Sequence, residues 1–233
     1  GDPQWQTKWR DVFDEDLRSV PWYSVYGNHD YHIDPCICSD DIKACAQVSE
    51  GDRNFFEMPN YTFYKEIPDL KMEIVAMDLN QLMDGWDHSK SREANAFMDC
   101  QWTRCKDACW DRARRRTDAS FNLFYERMER SPWQNMVVFS HYPTDYFEGA
   151  APEFLNTLRS PKRKITYFGG HRHSTDQSST TGIWPNSNWL VGGGGGWSCD
   201  TTMQGFVVGE IGLDYSVKTW QKIVDAPTCC SLR

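Results

Sequence analysis

Apolar positions along this chain fall into short runs that stop at glycine or a small polar residue, a pattern of many brief elements rather than a few long ones. Trp5, Trp9, Val12 and Phe13 recur at helical spacing, and Asp2 before Pro3 suits an N-cap with proline in the first turn, so a helix is expected over 2–16. The run from Val20 to Tyr26 is β-branched and aromatic and stops at Gly27, which predicts a central strand opening into a loop at Asn28, His29 and Asp30. Residues 31–59 are polar, carry three cysteines and show no sustained period; they read as an insertion stapled by disulfides. Two strands come next, 61–67 and 71–78, with Pro68 and Asp69 between them as a hairpin turn.

Residues 93–130 are helical by composition, and Cys105 and Cys109, four apart, share a helix face. The apolar run 135–140 reads as a buried strand that ends at His141, with Pro143 barring its continuation. A short helix over 153–159 leads to a strand at 164–168 that ends at Gly169 and Gly170. Further strands are expected at 189–191, 205–211 and 215–220, and the five glycines 192–196 suit close backbone packing beneath a site. The rhythm of apolar run, small residue and histidine recurs, and α/β sheets place their chemistry at such strand ends.

Three strand ends therefore offer histidine: His29, His141, and the pair His171 and His173. A spacing of two puts both rings of the pair on one side of an extended segment, and neutral imidazole is a common metal ligand. Asn28 adds a neutral oxygen that a divalent cation accepts, with His29 beside it free to act around the metal. His32 and His88 stand apart from this pattern and receive no role.

Composition narrows the picture. A chain of 233 residues, 39% hydrophobic and 14% aromatic, can fill the core of one domain over 1–233, interrupted by cysteine-rich insertions near 31–58 and 96–118. The net charge of -8 argues against nonspecific nucleic-acid binding, which depends on basic residues neutralising phosphates. The basic run Arg112 to Arg116 reads as a solvated helix face. No stretch reaches the roughly 18 consecutive apolar residues of a membrane span. Nine cysteines favour an oxidising compartment, and their odd count leaves one without a partner in the chain. Zinc knuckles are the poorer reading, because Cys36-x-Cys38, Cys105-x3-Cys109 and Cys229-Cys230 do not form paired CxxC motifs. Asn60-Tyr61-Thr62 is a glycosylation acceptor triplet, in keeping with export.

Taken together, Gly27-Asn28-His29-Asp30, Ser140-His141-Tyr142-Pro143 and Gly170-His171-Arg172-His173 resemble, in order and wide spacing, the last three of five signature blocks of the calcineurin-like metallophosphoesterases. Residues 2–30, with Val12-Phe13 and Val20-Pro21-Trp22-Tyr23, are similar to the small mammalian-type purple acid phosphatases. The resemblance implies an α/β fold, a four-layer α/β/β/α sandwich, with a dinuclear metal centre at the strand C-terminal ends. That centre would hold Fe(III) with Fe(II), Zn or Mn. Asn28, His141 and His171 would be ligands of the divalent metal and His173 a ligand of the ferric ion. His29 would be the proton donor, and Asn28, His29 and Arg172 would meet the substrate. The implied activity is acid phosphatase, hydrolysis of phosphate monoesters by a metal-bound hydroxide, on a small phosphate ester or a phosphoprotein, in a secreted or lysosomal/vacuolar setting. A phosphodiesterase or nucleotide hydrolase of the same fold, and a noncatalytic disulfide-stapled binding domain, are the alternatives.

Two departures qualify the resemblance. The first two blocks of the family, Asp-x-Gly and Gly-Asp-x-x-Tyr, are not evident; Gly1-Asp2-Pro3-Gln4-Trp5 has tryptophan where tyrosine belongs and no strand before it. The chain is therefore expected to be N-terminally truncated, short of ferric-site ligands and inactive in isolation. After Pro143, where the family often carries a substrate-contacting histidine, stand Asp145, Tyr146 and Glu148.

Overall fold

All six residues of Met72–Met77 are buried, as expected of a strand covered on both faces. In the computed structural model, which describes residues 5–31, 56–57, 59–81, 105–191 and 203–225, this segment is strand β4. The other strands are β1 (Trp22–Tyr23), β2 (Phe56–Glu57), β3 (Phe63–Ile67), β5 (Asn135–Ser140), β6 (Lys164–Gly169), β7 (Ser187–Leu190), β8 (Met203–Ile211) and β9 (Val217–Asp225). The α-helices are α1 (Glu15–Arg18), α2 (Lys106–Arg130), α3 (Phe147–Ala150) and α4 (Pro152–Leu158). Strands β3 to β7 form one mixed sheet in that order, with β3 antiparallel to β4 and the rest parallel, so the chain is α/β, a five-stranded sheet flanked by helices.

Alternation along β5 sorts the two faces of the sheet. Met136 and Val138 join the buried cluster of Val75, Met77, Phe124, Phe154, Leu158 and Tyr167, which places α2 and α4 over that face. Phe154 is its aromatic centre, with ring centroids 4.8 Å from Phe124 and 4.9 Å from Phe147. Each large apolar side chain buried there stabilises the fold by about 1.5–3 kcal/mol. Asn135 points the other way, and its Nδ2 donates to the Tyr215 carbonyl at 2.7 Å. Trp189 Nε1 donates to Thr219 Oγ1 at 2.9 Å. The antiparallel β8–β9 hairpin is thus tied to β5 and β7 of the sheet.

One charge lies inside this frame. Glu73, in β4, is wholly buried, and Arg127 of α2 neutralises it through Nε to Oε1 at 2.8 Å and Nη2 to Oε2 at 2.6 Å. Arg127 also reaches Glu66 Oε1 at 2.7 Å, and its guanidinium carbon sits 4.1 Å over the Tyr64 ring. The bond to Glu73 holds Arg127 above its ordinary pKa range.

The sequence expectations hold for the hairpin at β3 and β4, for the helix at 106–130, for the strands at β5, β6 and β7, and for the last two strands, β8 and β9, which the structure pairs as a hairpin. They fail at the N-terminus. In place of one helix over 2–16 there is a π-turn at Trp5–Arg10, with Asp11 N bonded to Gln6 O, and a separate α1. Asp14 is the cause, because its Oδ1 accepts from Leu17 N at 3.0 Å, and such a cap requires extended backbone at Asp14 that ends one helix and starts the next. Only Trp22–Tyr23 of the expected central strand 20–26 is in a ladder, and it pairs with β2 outside the main sheet; Val20 is exposed, and Pro21 has no N–H to offer. The basic run is also divided. Arg114 and Arg115 lie on the solvent side paired with Asp111, whereas Arg116 is buried with its guanidinium 3.3 Å over the Tyr61 ring. Asp2, Pro3, the insertion at 32–55, the first part of the 93–130 helix and Gly192 to Gly196 lie outside the described residues.

Candidate functional site

The parallel strands end side by side, Met77 opposite Ser140 and Phe139 opposite Phe168, so the residues just past β4, β5 and β6 are delivered to one edge. His141 is the first residue past β5. The end of β6 reaches it directly, with Gly170 N donating to His141 O at 2.9 Å. Gly169 is required for that approach, since a Cβ there would stand 2.6 Å from Pro143 Cα and 2.7 Å from the Tyr142 oxygen.

Asn28 arrives from a different part of the chain. It opens a one-turn 3-10 helix, Asn28–Tyr31, closed by Asp30, whose Oδ2 accepts from Gly27 N at 2.7 Å. Gly27 packs over the face of the His141 imidazole; a Cβ there would fall 2.6 Å from Nδ1 and 2.7 Å from Cε1. The nitrogen of that ring that faces Asn28 is Nε2. It stands 2.7 Å from Asn28 Oδ1 and 3.1 Å from His171 Nδ1. The residues so joined are 113 and 30 positions apart in sequence. The His171 ring packs between aromatic neighbours, 5.1 Å from Tyr142 and 5.4 Å from Tyr146.

Two further lone-pair atoms set against His141 Nε2 make an arrangement that either a shared proton or a cation can satisfy. One N–H on His141 can serve two acceptors only by dividing itself between them. Metal–nitrogen and metal–oxygen bonds of about 2.0–2.2 Å at right angles place neighbouring ligand atoms about 2.8–3.1 Å apart. The 3.1 Å separation lies within that spacing and the 2.7 Å one just below it, and two imidazoles with one amide suit a divalent ion of borderline softness. Among the described residues no three His, Cys, Asp or Glu side chains are grouped as a metal site.

Three candidates remain, His29, His173 and Arg172. His29 lies in the same turn as Asn28, and its side chain is outside the described part of the structure. His173 is two residues beyond His171, half-buried, and its carbonyl accepts from Gln204 Nε2 at 3.0 Å. Arg172 is turned toward Asp145, with which it forms an ion pair, and its Nη1 donates to Ser179 Oγ at 2.6 Å.

Sequence reasoning passed over the residues beneath the site. Asn80, three residues past β4 and buried, donates from Nδ2 to Asp78 Oδ1 at 2.7 Å and to the Tyr26 carbonyl at 3.0 Å. Its Oδ1 accepts from the Tyr142 hydroxyl at 3.1 Å. One amide therefore links the segment before Asn28 to the residue after His141. The signal was available as Asp78-x-Asn80, two polar residues directly after a wholly apolar strand end. Burial, then the charge of Asp78, pushes the Tyr142 hydroxyl well above its ordinary range, and burial does the same to Tyr26, so both stay protonated donors. Asn80→Ala leaves the Asp78 carboxylate and the Tyr26 carbonyl short of a donor; a loss of about 2–3 kcal/mol is expected, read as a fall in the urea midpoint.

Compared with protein-family models and with curated proteins, the chain gives no match. Its chemistry rests on these residues themselves.

Proposed function

We propose that this chain carries the divalent-metal half of a calcineurin-like metallophosphoesterase centre of the purple acid phosphatase type, serving hydrolysis of phosphate monoesters by water at acidic pH. The observation that carries the reading is His141 Nε2 set against both Asn28 Oδ1 and His171 Nδ1, from three motif-bearing segments, where the parallel strands β5 and β6 of the mixed sheet end. All three ligands are neutral, so a cation among them keeps its full charge toward a phosphate dianion. A bound metal pair supplies Lewis acidity toward phosphate oxygens and acidifies water. His29, next to Asn28, is assigned to protonate the leaving oxygen, and His173 to the second, ferric position. The substrate class is a small phosphate ester or a phosphoprotein.

Two features support the wider reading. The β8–β9 hairpin, bonded to the sheet through Asn135 and Trp189 on the face away from α2, suits the second sheet of an α/β/β/α sandwich. Cys105 and Cys109 are both in disulfides, and Asn60 of the acceptor triplet is exposed, which suits a secreted or lysosomal/vacuolar protein. Among the described residues no helix is long and apolar enough to cross a membrane.

The test is a calorimetric titration of the folded chain with Zn(II) or Mn(II), and then with inorganic phosphate. One divalent ion per chain is expected, with phosphate binding only to the metal-loaded protein. Folded protein that takes up no divalent ion sinks the proposal.

A further inference from the structure

His171 is held in a backbone conformation that non-glycine residues rarely adopt. Its φ is 67°, and across it Arg172 N donates to Gly170 O at 2.8 Å. That is a γ-turn of the positive-φ kind, which is rare and strained. Strain of this sort persists only where the surroundings over-determine it, and it gathers at functional sites. The turn carries the imidazole that meets His141, so the contacts that hold the turn decide where that ring goes.

On its N-terminal side the turn is fixed by Gly170 N on the His141 carbonyl. On the C-terminal side the anchor is the Arg172 side chain. Its Nη2 pairs with Asp145 Oδ2, and its Nη1 donates to both Ser179 Oγ, at 2.6 Å, and the Ser179 carbonyl, at 3.3 Å. Asp145 stands on the short helical turn Thr144–Tyr146, four residues past His141. Its neighbour Tyr146 packs edge-on against His171 and lies 5.6 Å beneath the guanidinium carbon. The pair is shielded, with side chains 29% and 14% exposed. The other carboxylate oxygen, Asp145 Oδ1, is buried with no hydrogen-bond partner among the described residues, so this carboxylate depends on Arg172.

The geometry points to Arg172 and Asp145 as positioning residues, a charge-assisted clamp anchored on Ser179 that keeps the strained turn at His171 closed and its Nδ1 on the metal position. The purpose of the clamp rests on the proposed function; its geometry does not. A direct role for Arg172 at the substrate gives way to the clamp, because the guanidinium is engaged in two directions by protein. Asp145 also gains a task, at a place where the resembling family often carries a substrate-contacting histidine.

Amide hydrogen exchange by NMR, on the metal-free chain, reads the clamp without reference to metal. In Asp145→Asn and Arg172→Gln the backbone amide of position 172 is expected to exchange at least about tenfold faster, while the β5 and β6 core amides of Val138 and Tyr167 keep their protection. Calorimetry with Zn(II) is expected to show affinity weakened about 10–100-fold in each variant, the usual range for groups that orient a ligand. The double variant is expected to be no weaker than Arg172→Gln alone. Arg172→Lys, which reaches Asp145 but cannot also fork to Ser179, is expected to fall between wild type and Arg172→Gln, and it supplies the reading if Arg172→Gln does not fold. Unchanged exchange of the position-172 amide in the folded variants overturns the clamp, whatever the metal does, and a loss confined to phosphate affinity would return Arg172 to the substrate. Faster exchange in a protein that binds no Zn(II) keeps the clamp and removes the metal reading instead.

Discussion

Alanine at position 141 is expected to abolish high-affinity divalent-metal binding, weakening it by about 1,000-fold or more, equivalent to about 4 kcal/mol. His141 is the shared member of the cluster: its Nε2 meets Asn28 Oδ1 on one side and His171 Nδ1 on the other. Removing it takes away a ligand atom and the group against which the other two are aligned. His171→Ala is expected to cost less, because Asn28 and His141 stay in contact. Asn28→Ala is expected to cost least, about 10–100-fold, since an amide oxygen is the weakest donor of the three. The order His141, His171, Asn28 is checked by competition against a calibrated chelator at fixed pH, with circular dichroism to confirm folding. If His141→Ala binds metal within threefold of wild type, the 2.7 and 3.1 Å contacts are ordinary hydrogen bonds and the site is no metal centre.

Much of this arrangement is local in origin, which is why it is legible in the residues. The strand over 135–140 arises from an unbroken apolar run stopped by His141 and Pro143, and the hairpin of β3 and β4 from two runs with a proline between them. Strand ends carrying histidine are then set by strand position alone. The glycine pair is more instructive. Neither Gly169 nor Gly170 has its φ in the left-handed region; that conformation falls on His171. Gly169 serves close approach, to Pro143 and Tyr142, whereas a Cβ at Gly170 would meet the His141 carbonyl oxygen at an ordinary 3.5 Å. Side-chain size at contacts distant in sequence decided this, and no local period reports it. The same holds for Arg172 with Asp145, for Asn80 under the site and for Arg116 on Tyr61, whose partners come from other segments. At the N-terminus the failure is local but competitive: helical spacing of Trp5, Trp9 and Phe13 lost to the cap at Asp14 and to packing of Trp9, Phe13 and Trp22, with Trp9 ring centroids 5.0 Å from Phe13 and 4.5 Å from Trp22.

The largest effect on stability is expected at the opposite end of β4 from the site. Arg127→Met removes the only basic group bonded to the wholly buried Glu73 among the described residues, and stranding a buried charge in this way costs about 3–5 kcal/mol. Against a typical total stability of about 5–15 kcal/mol that is enough to unfold a marginal domain. Glu73→Leu with Arg127→Met exchanges both charges for apolar volume between β4 and α2, and is expected to return stability to within about 1–2 kcal/mol of wild type or above it. Glu66→Gln is expected to cost under about 1 kcal/mol, because the Glu66 side chain is 37% exposed and solvent screens its share of the network. Urea unfolding of the four proteins distinguishes these outcomes. A loss below about 1 kcal/mol for Arg127→Met would show that Glu73 is neutralised in some other way. The site itself is expected to be indifferent to the exchange. Ser120 Oγ of α2 donates to the Asp78 carbonyl at 3.1 Å, so helix and strand stay joined at the end where Asn80 supports Asn28 and His141. Zn(II) affinity of the folded double variant should then lie within about twofold of wild type, and a larger fall would mean that the Glu73–Arg127 pair sets the position of the metal ligands as well as the stability of the sheet.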